Sequence, residues 1–228
     1  MKCTLRLGIA AATLVASSAA FAADMPRKGL PPVPIFYNWT GFYVGGNVGY
    51  GWATGSGTIT MGAASGPVSG KGDGISGGLQ AGYNWQIGSI VLGVEADAQY
   101  SAQKGNFDGN AGANVFTSTA TVPWFATARA RVGYAFDRTM VYVTGGGVYG
   151  NSNIKGTSTV TGPFDVSKQF FTYTVGAGVE TALWSRWTAK VEYLYIGTPD
   201  HIPVPPGTTR ITGSITSNLV RAGLNYRF

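Results

Sequence analysis

Period-two alternation, kept up over eight separate stretches, constrains this chain more than any other feature of its sequence. In residues 42–52, Phe42, Val44, Gly46, Val48, Tyr50 and Trp52 share one face, while Tyr43, Gly45, Asn47, Gly49 and Gly51 share the other. Successive side chains of a strand point to opposite sides, so this pattern is a strand and not a helix. Seven further stretches repeat it, at 75–86, 90–100, 123–136, 140–149, 170–183, 187–195 and 215–228. Only 140–149 is ambiguous in its facing.

The connections between them alternate in length. Tight links fall near 87–88, 137–138 and 185–186, and long ones at 54–74, 101–122, 151–169 and 196–214. Such alternation fits transmembrane barrels, which have short periplasmic turns, longer external loops and an even strand number. The expectation is therefore an all-β chain: an eight-stranded antiparallel transmembrane up-and-down β-barrel. Its long connections are rich in Gly, Ser, Thr and Asn, which predicts disordered, variable external loops rather than a carved pocket.

Alternation alone does not say which face meets lipid, since a soluble barrel also alternates, with apolar residues inside. Glycine decides it. Gly45, Gly49, Gly51, Gly78, Gly82, Gly93, Gly133, Gly176, Gly178 and Gly223 all lie on the polar face. Each costs about 0.5–1 kcal/mol relative to alanine in a strand, which a water-exposed surface has no reason to accept. The narrow interior of a small barrel does need small residues, so the polar face points inward. Aromatics agree: Trp52, Tyr100, Trp124 and Tyr195 mark the external ends of apolar faces, and Trp85, Tyr134, Trp187 and Tyr226 the periplasmic ends. Two such girdles suit the two boundaries between water and lipid.

Charges on the inward face must then be paired. Counting from the tight links, Glu95 lies level with Arg129 and Arg131, Glu180 with Lys190, and Glu192 within reach of Arg221. The predicted lumen network is Glu95, Asp97, Arg129, Arg131, Glu180, Lys190, Glu192 and Arg221. The preferred reading is a polar plug that fills the lumen. An open, ion-selective pore is the alternative.

The N-terminus reads as a secretory signal, with Lys2 and Arg6 before a short apolar stretch and the small-x-small pattern Ala20-Phe21-Ala22, so cleavage is expected between Ala22 and Ala23. The organisation is thus a signal peptide at 1–22, a proline-rich periplasmic lead-in at 23–39 and the barrel at 40–228. The single cysteine, Cys3, leaves with the signal, so disulfides, thiolate metal sites and a cysteine nucleophile are excluded. Losing Lys2 and Arg6 lowers the formal charge of +6 by two. The remaining excess is scattered, and no nucleic-acid partner is expected. No Asp, Glu or His grouping has metal-ligand spacing, and no cofactor is expected. Ser69-Gly70-Lys71-Gly72-Asp73-Gly74 only glances at a phosphate loop, because Gly72 stands where Ser or Thr belongs. The one histidine, His201, follows Asp200 in a proline-rich connection that offers no fixed triad geometry, so catalysis is not expected.

Trp39-Thr40-Gly41-Phe42-Tyr43-Val44-Gly45-Gly46-Asn47-Val48-Gly49-Tyr50-Gly51 resembles the first strand of RopB-type outer-membrane proteins of alphaproteobacteria, an outer-membrane immunogenic, porin-like family. Ala81-Gly82-Tyr83-Asn84-Trp85-Gln86, Tyr142-Val143-Thr144-Gly145-Gly146, Val191-Glu192-Tyr193-Leu194-Tyr195 and the ending from Val220 to Phe228 resemble it too. The resemblance implies an eight-stranded barrel in the outer membrane of a Gram-negative bacterium, surface-exposed loops and a largely structural role in the envelope. A small porin-like channel for solutes is the alternative, and a barrel enzyme acting on lipid A or peptides ranks below it. The implied partners are outer-membrane lipid and lipopolysaccharide, together with the barrel-assembly machinery, whose C-terminal signal Leu224, Tyr226 and Phe228 resemble. A tether to peptidoglycan is the minority reading of the N-terminal segment.

Overall fold

The computed structural model describes residues 37–159, 162–199, 208 and 210–228. The expected signal peptide with Ala22 and Ala23, most of the lead-in, and His201 lie outside the described residues. Eight strands close into one barrel: β1 Gly41–Met61, β2 Ala64–Ile87, β3 Ile90–Ala111, β4 Asn114–Phe136, β5 Thr139–Ser158, β6 Gly162–Ala182, β7 Trp187–Ile196 and β8 Arg210–Arg227. Each pairs antiparallel with its sequence neighbours, and β8 closes the ring on β1. The last residue helps to fasten that seam, since the Phe228 amide donates to the Phe42 carbonyl at 3.1 Å.

Within the membrane band the faces are as the alternation predicts. Phe42, Val48, Leu79, Val94, Val132, Val143 and Val191 are exposed on the outer wall, while Glu95, Arg129, Thr174 and Lys190 are buried inside. The ambiguous strand β5 turns Met140, Tyr142, Thr144 and Val148 inward and Val141, Val143 and Tyr149 outward. Aromatic rings meet at both rims. Trp187 and Tyr226 have centroids 5.3 Å apart at the periplasmic rim, and Trp124 and Tyr149 5.8 Å apart at the external rim.

The long connections depart from expectation. Residues 54–74 and 101–122 are not disordered loops: β1 runs on to Met61 and β2 begins at Ala64, while β3 runs to Ala111 and β4 begins at Asn114. Gly62 and Gly112 each take a φ of about +60° (61° and 62°) at these turns, the left-handed backbone that a two-residue hairpin needs. β5 and β6 extend in the same way over most of 151–169. After β7, which ends at Ile196, the next described strand is β8 from Arg210.

The physical reason is an inversion of polarity at the external aromatic rim. Below it the outer wall is apolar. Above Trp52 the outward residues of β1 become Thr54, Ser56, Thr58 and Thr60, and the inward ones Ala53, Gly55, Gly57 and Ile59. β3 does likewise, with Lys104, Asn106 and Asp108 outside and Phe107 and Ala111 inside. On β4 a bulge swaps the faces: Thr127, Arg129 and Arg131 point inward below it, and Val122, Ala120, Ser118 and Phe116 point inward above it. Pro123, which has no amide proton to give to the ladder, sits at that irregularity between Thr121 and Trp124. The upper barrel therefore obeys the rule for water, apolar inside and polar outside, and the lower barrel the rule for lipid. The exposed pair Lys155–Asp165, 2.9 Å apart, decorates the watery part. The hydrogen bond and charge of Asp165 hold the Lys155 ammonium above its ordinary pKa, but pairs so open to solvent add little stability.

Candidate functional site in the barrel lumen

The inward faces stack in layers from the periplasmic end. Trp39 is fully buried there against Val91, Ala135, Met140 and Tyr142, with Tyr37 packed on the cluster. Its amide donates to Gln86 Oε1 at 2.6 Å. Arg227 donates to the Asn38 carbonyl at 2.9 Å and lies over the Tyr37 and Trp39 rings at 5.1 and 5.3 Å. Tyr37, Asn38 and Trp39, at the end of the predicted lead-in, thus occupy the mouth of the barrel.

Above this floor lie the eight charged residues named from the sequence. Glu95 is directly opposite Arg129 in the ladder, Glu180 opposite Lys190, and Glu192 opposite Arg221. Side-chain contacts then reach beyond the register. Lys190 turns away from Glu180 and donates to both carboxylate oxygens of Glu95 at 2.8 Å. Lys190 is on β7 and Glu95 on β3, diametrically opposed in the ring. Arg129 bonds Glu95, reaches Asp97 at 3.0 Å and crosses to Glu192 at 3.0 Å. Arg221 bonds Glu192 at 2.7 Å and Asp97 at 3.1 Å. Arg131 takes Glu180 at 3.0 Å and donates through Nε to Asn84 at 3.0 Å. Four carboxylates face four cations, so the formal charges of Glu95, Asp97, Glu180, Glu192, Arg129, Arg131, Lys190 and Arg221 cancel.

Neutral residues complete the cluster, and the sequence reading missed them. Tyr43 donates its hydroxyl proton to Glu95 at 2.8 Å and Tyr142 its own to Glu192 at 3.0 Å. The Arg131 guanidinium lies over both rings, at 4.7 and 5.3 Å. Thr127 and Gln99 donate to Asp97 at 2.7 and 3.1 Å, and Asn225 to Glu180 at 3.0 Å. Gln80 bridges Asn225 and Asn47 at 2.6 and 2.9 Å. A signal for the tyrosines existed: a Cβ at Gly82 would collide with the Tyr43 ring, and one at Gly178 with the Tyr142 ring. Glycine on the partner strand marks where a large inward ring needs room. Above the charges an apolar layer of Phe125, Val148, Phe170, Leu194 and Leu219 covers the network.

The remaining predicted residues sit on the outer wall. Phe228 and Leu224 are exposed, and the Tyr226 ring bridges Trp187 and Phe228 with centroids at 5.3 and 5.4 Å. Among the described residues no group of His, Cys, Asp and Glu is arranged to hold a metal ion.

A closed ring of strands with a lipid-facing band, two aromatic rims and an inverted upper wall defines an outer-membrane β-barrel protein. Comparison with known proteins gives the family: residues 8–228 match the model described as "Outer membrane protein beta-barrel domain", and the chain belongs to that family. It is 35% identical over 209 residues to the 31 kDa outer-membrane immunogenic protein of Brucella melitensis, covering 86% of each chain. It is likewise 35% identical over 226 residues to the 25 kDa outer-membrane immunogenic protein of Brucella abortus, covering 96% of each. Among solved structures, Neisserial surface protein A aligns with 83% of this chain and 98% of its own at 16% identity and a TM-score of 0.46. The chain is a protein of the outer membrane, related to small alphaproteobacterial surface barrels.

Proposed function

We propose that this protein is a sealed structural barrel of the outer membrane, which strengthens the envelope and presents its upper hairpins at the cell surface. The carrying observation is the Lys190–Glu95 bridge across the full width of the lumen, 2.8 Å long and flanked by Arg129 and Arg221. An eight-stranded interior has room for little beyond its own side chains. Here those side chains are mutually neutralised and bonded, and they are capped by apolar layers below and above. Ions passing through would have to break a buried, charge-neutral network, whose attractions are strong in a medium of low polarity. The names of the Brucella relatives, which are those of immunogenic proteins and not of enzymes, support surface presentation and a role without catalysis. In planar bilayers the purified protein is expected to show no large, stable conductance. Stable, reproducible channel openings would overturn the sealed reading in favour of a solute pore.

Biogenesis follows the same reading. Lipid and lipopolysaccharide are the surroundings of the apolar band, and Leu224, Tyr226 and Phe228 form the segment presented to the assembly machinery. Deleting Phe228 is expected to lower the folded, heat-modifiable form in outer-membrane fractions several-fold and to leave precursor in the periplasm. Unchanged levels would remove that role. The N-terminal segment is read as a lead-in rather than a peptidoglycan tether.

A further inference from the structure

The polarity inversion leaves a space that the envelope role does not use. Between the apolar layer over the charges and a second cluster of Ile59, Ala111 and Phe116 near the hairpin tips lies a cavity of about 190 Å³. Phe107, Phe116, Phe125 and Phe170 line it together with Ile154 and Ile215. Above the external aromatic rim an inward apolar face is not demanded by lipid. Two packed layers with nothing between them would have sealed the upper barrel more tightly, because a void costs its lining the contacts it lacks.

We propose that this chamber is a binding site for a small, neutral, apolar molecule bearing one aromatic ring and a short alkyl substituent. Volume and chemistry select that class. An apolar cavity of roughly 150 Å³ stays dry and accepts benzene, so a slightly larger one holds a ring with a short substituent. Four phenylalanines offer edge and face contacts to such a ring. Gln103 and several serines also border the chamber, but its lining is predominantly apolar, and a charged or strongly polar ligand would leave most of its polar groups unpaired. β7 stops at Ile196, and Ile196, Gly197 and Pro199 also line the chamber. The inference depends on the upper barrel alone and stands whether or not the charged layer beneath conducts.

The test uses the full chain in lipid nanodiscs, titrated with (trifluoromethyl)benzene and followed by fluorine NMR, with empty nanodiscs as reference. A saturable resonance, absent from empty discs and displaced by n-butylbenzene, is expected. Ala120 lines the chamber, and Ala120→Phe fills part of it; this variant is expected to weaken binding at least tenfold. Thr119→Phe, on the outward side of the same strand, is expected to leave binding unchanged. Partitioning that never saturates, or saturable binding that the folded Ala120→Phe protein retains, overturns the proposal. If Ala120→Phe does not give a folded barrel, displacement on the native chain decides: competition supports one shared site, and its absence overturns the site.

Discussion

Glu95→Ala is expected to lower the unfolding free energy of the barrel by about 3–5 kcal/mol, the cost of stripping one partner from a buried ion network. Glu95 is the hub. It accepts from both Lys190 and Tyr43 at 2.8 Å and from Arg129, and it lies 3.7 and 3.5 Å from the Arg131 and Arg221 guanidinium groups. Removing its charge leaves the lumen with one excess cation that water does not reach. Lys190, whose side chain is fully buried, suffers most, because Glu95 supplies its short contacts. Glu95→Gln keeps the shape and an acceptor but loses the charge, and should fall between the two. Removing both ends of the bridge, as Glu95→Ala with Lys190→Ala, restores formal neutrality and should recover part of the loss, giving a coupling energy well above zero. The measurement is the fraction of protein that migrates as a folded barrel on unboiled gels across a urea series in liposomes. If Glu95→Ala unfolded at the native midpoint, the network would be decoration and the sealed reading would lose its physical basis.

The same residues show how far a sequence carries. Glu95 and Arg129 were legible as partners because each of their strands has a tight link at its periplasmic end, 87–88 for one and 137–138 for the other, and counting from these puts the two residues at nearly the same height. Lys190 shows where that stops. Its ladder partner is Glu180, but its ammonium bonds Glu95, ninety-five residues away in sequence. Only closure of the ring brings β3 and β7 face to face across a lumen narrow enough for a lysine to span. Tyr43 and Tyr142 escaped for a related reason: a tyrosine on a polar face looks like an exception until the glycine opposite it on the next strand is noticed. The upper barrel was missed because hydrophobicity contrast vanishes in stretches such as Thr54-Gly55-Ser56-Gly57-Thr58. Alternation of small and polar residues is still alternation, but its sign had reversed, and it read as loop composition. The chamber that lies there was invisible for the same cause.

The reversal makes the second large prediction. Leu79→Arg is expected to cost about 2–4 kcal/mol, the penalty for a cation on the lipid face near the middle of the bilayer. Leu79 is 74% exposed, lies midway along β2 between Trp85 and Asp73, and has no lumen to retreat into. Thr58→Arg is also an outward substitution, on the neighbouring strand, but it sits above Trp52 where the outer wall is polar. It should cost no more than about 0.5 kcal/mol, as an ordinary surface change does. Ile59→Arg, one residue further along and fully buried, should be strongly destabilising to the hairpin tips, because there the apolar face is the inner one. The three variants together locate the membrane boundary on a single pair of strands, read by urea midpoints in liposomes and by protease cleavage of the upper hairpin. A cost at Thr58 equal to that at Leu79 would place position 58 inside the bilayer, and the inverted wall would then have no explanation. Equal tolerance at Leu79 and Thr58 would mean that the band around Leu79 does not face lipid.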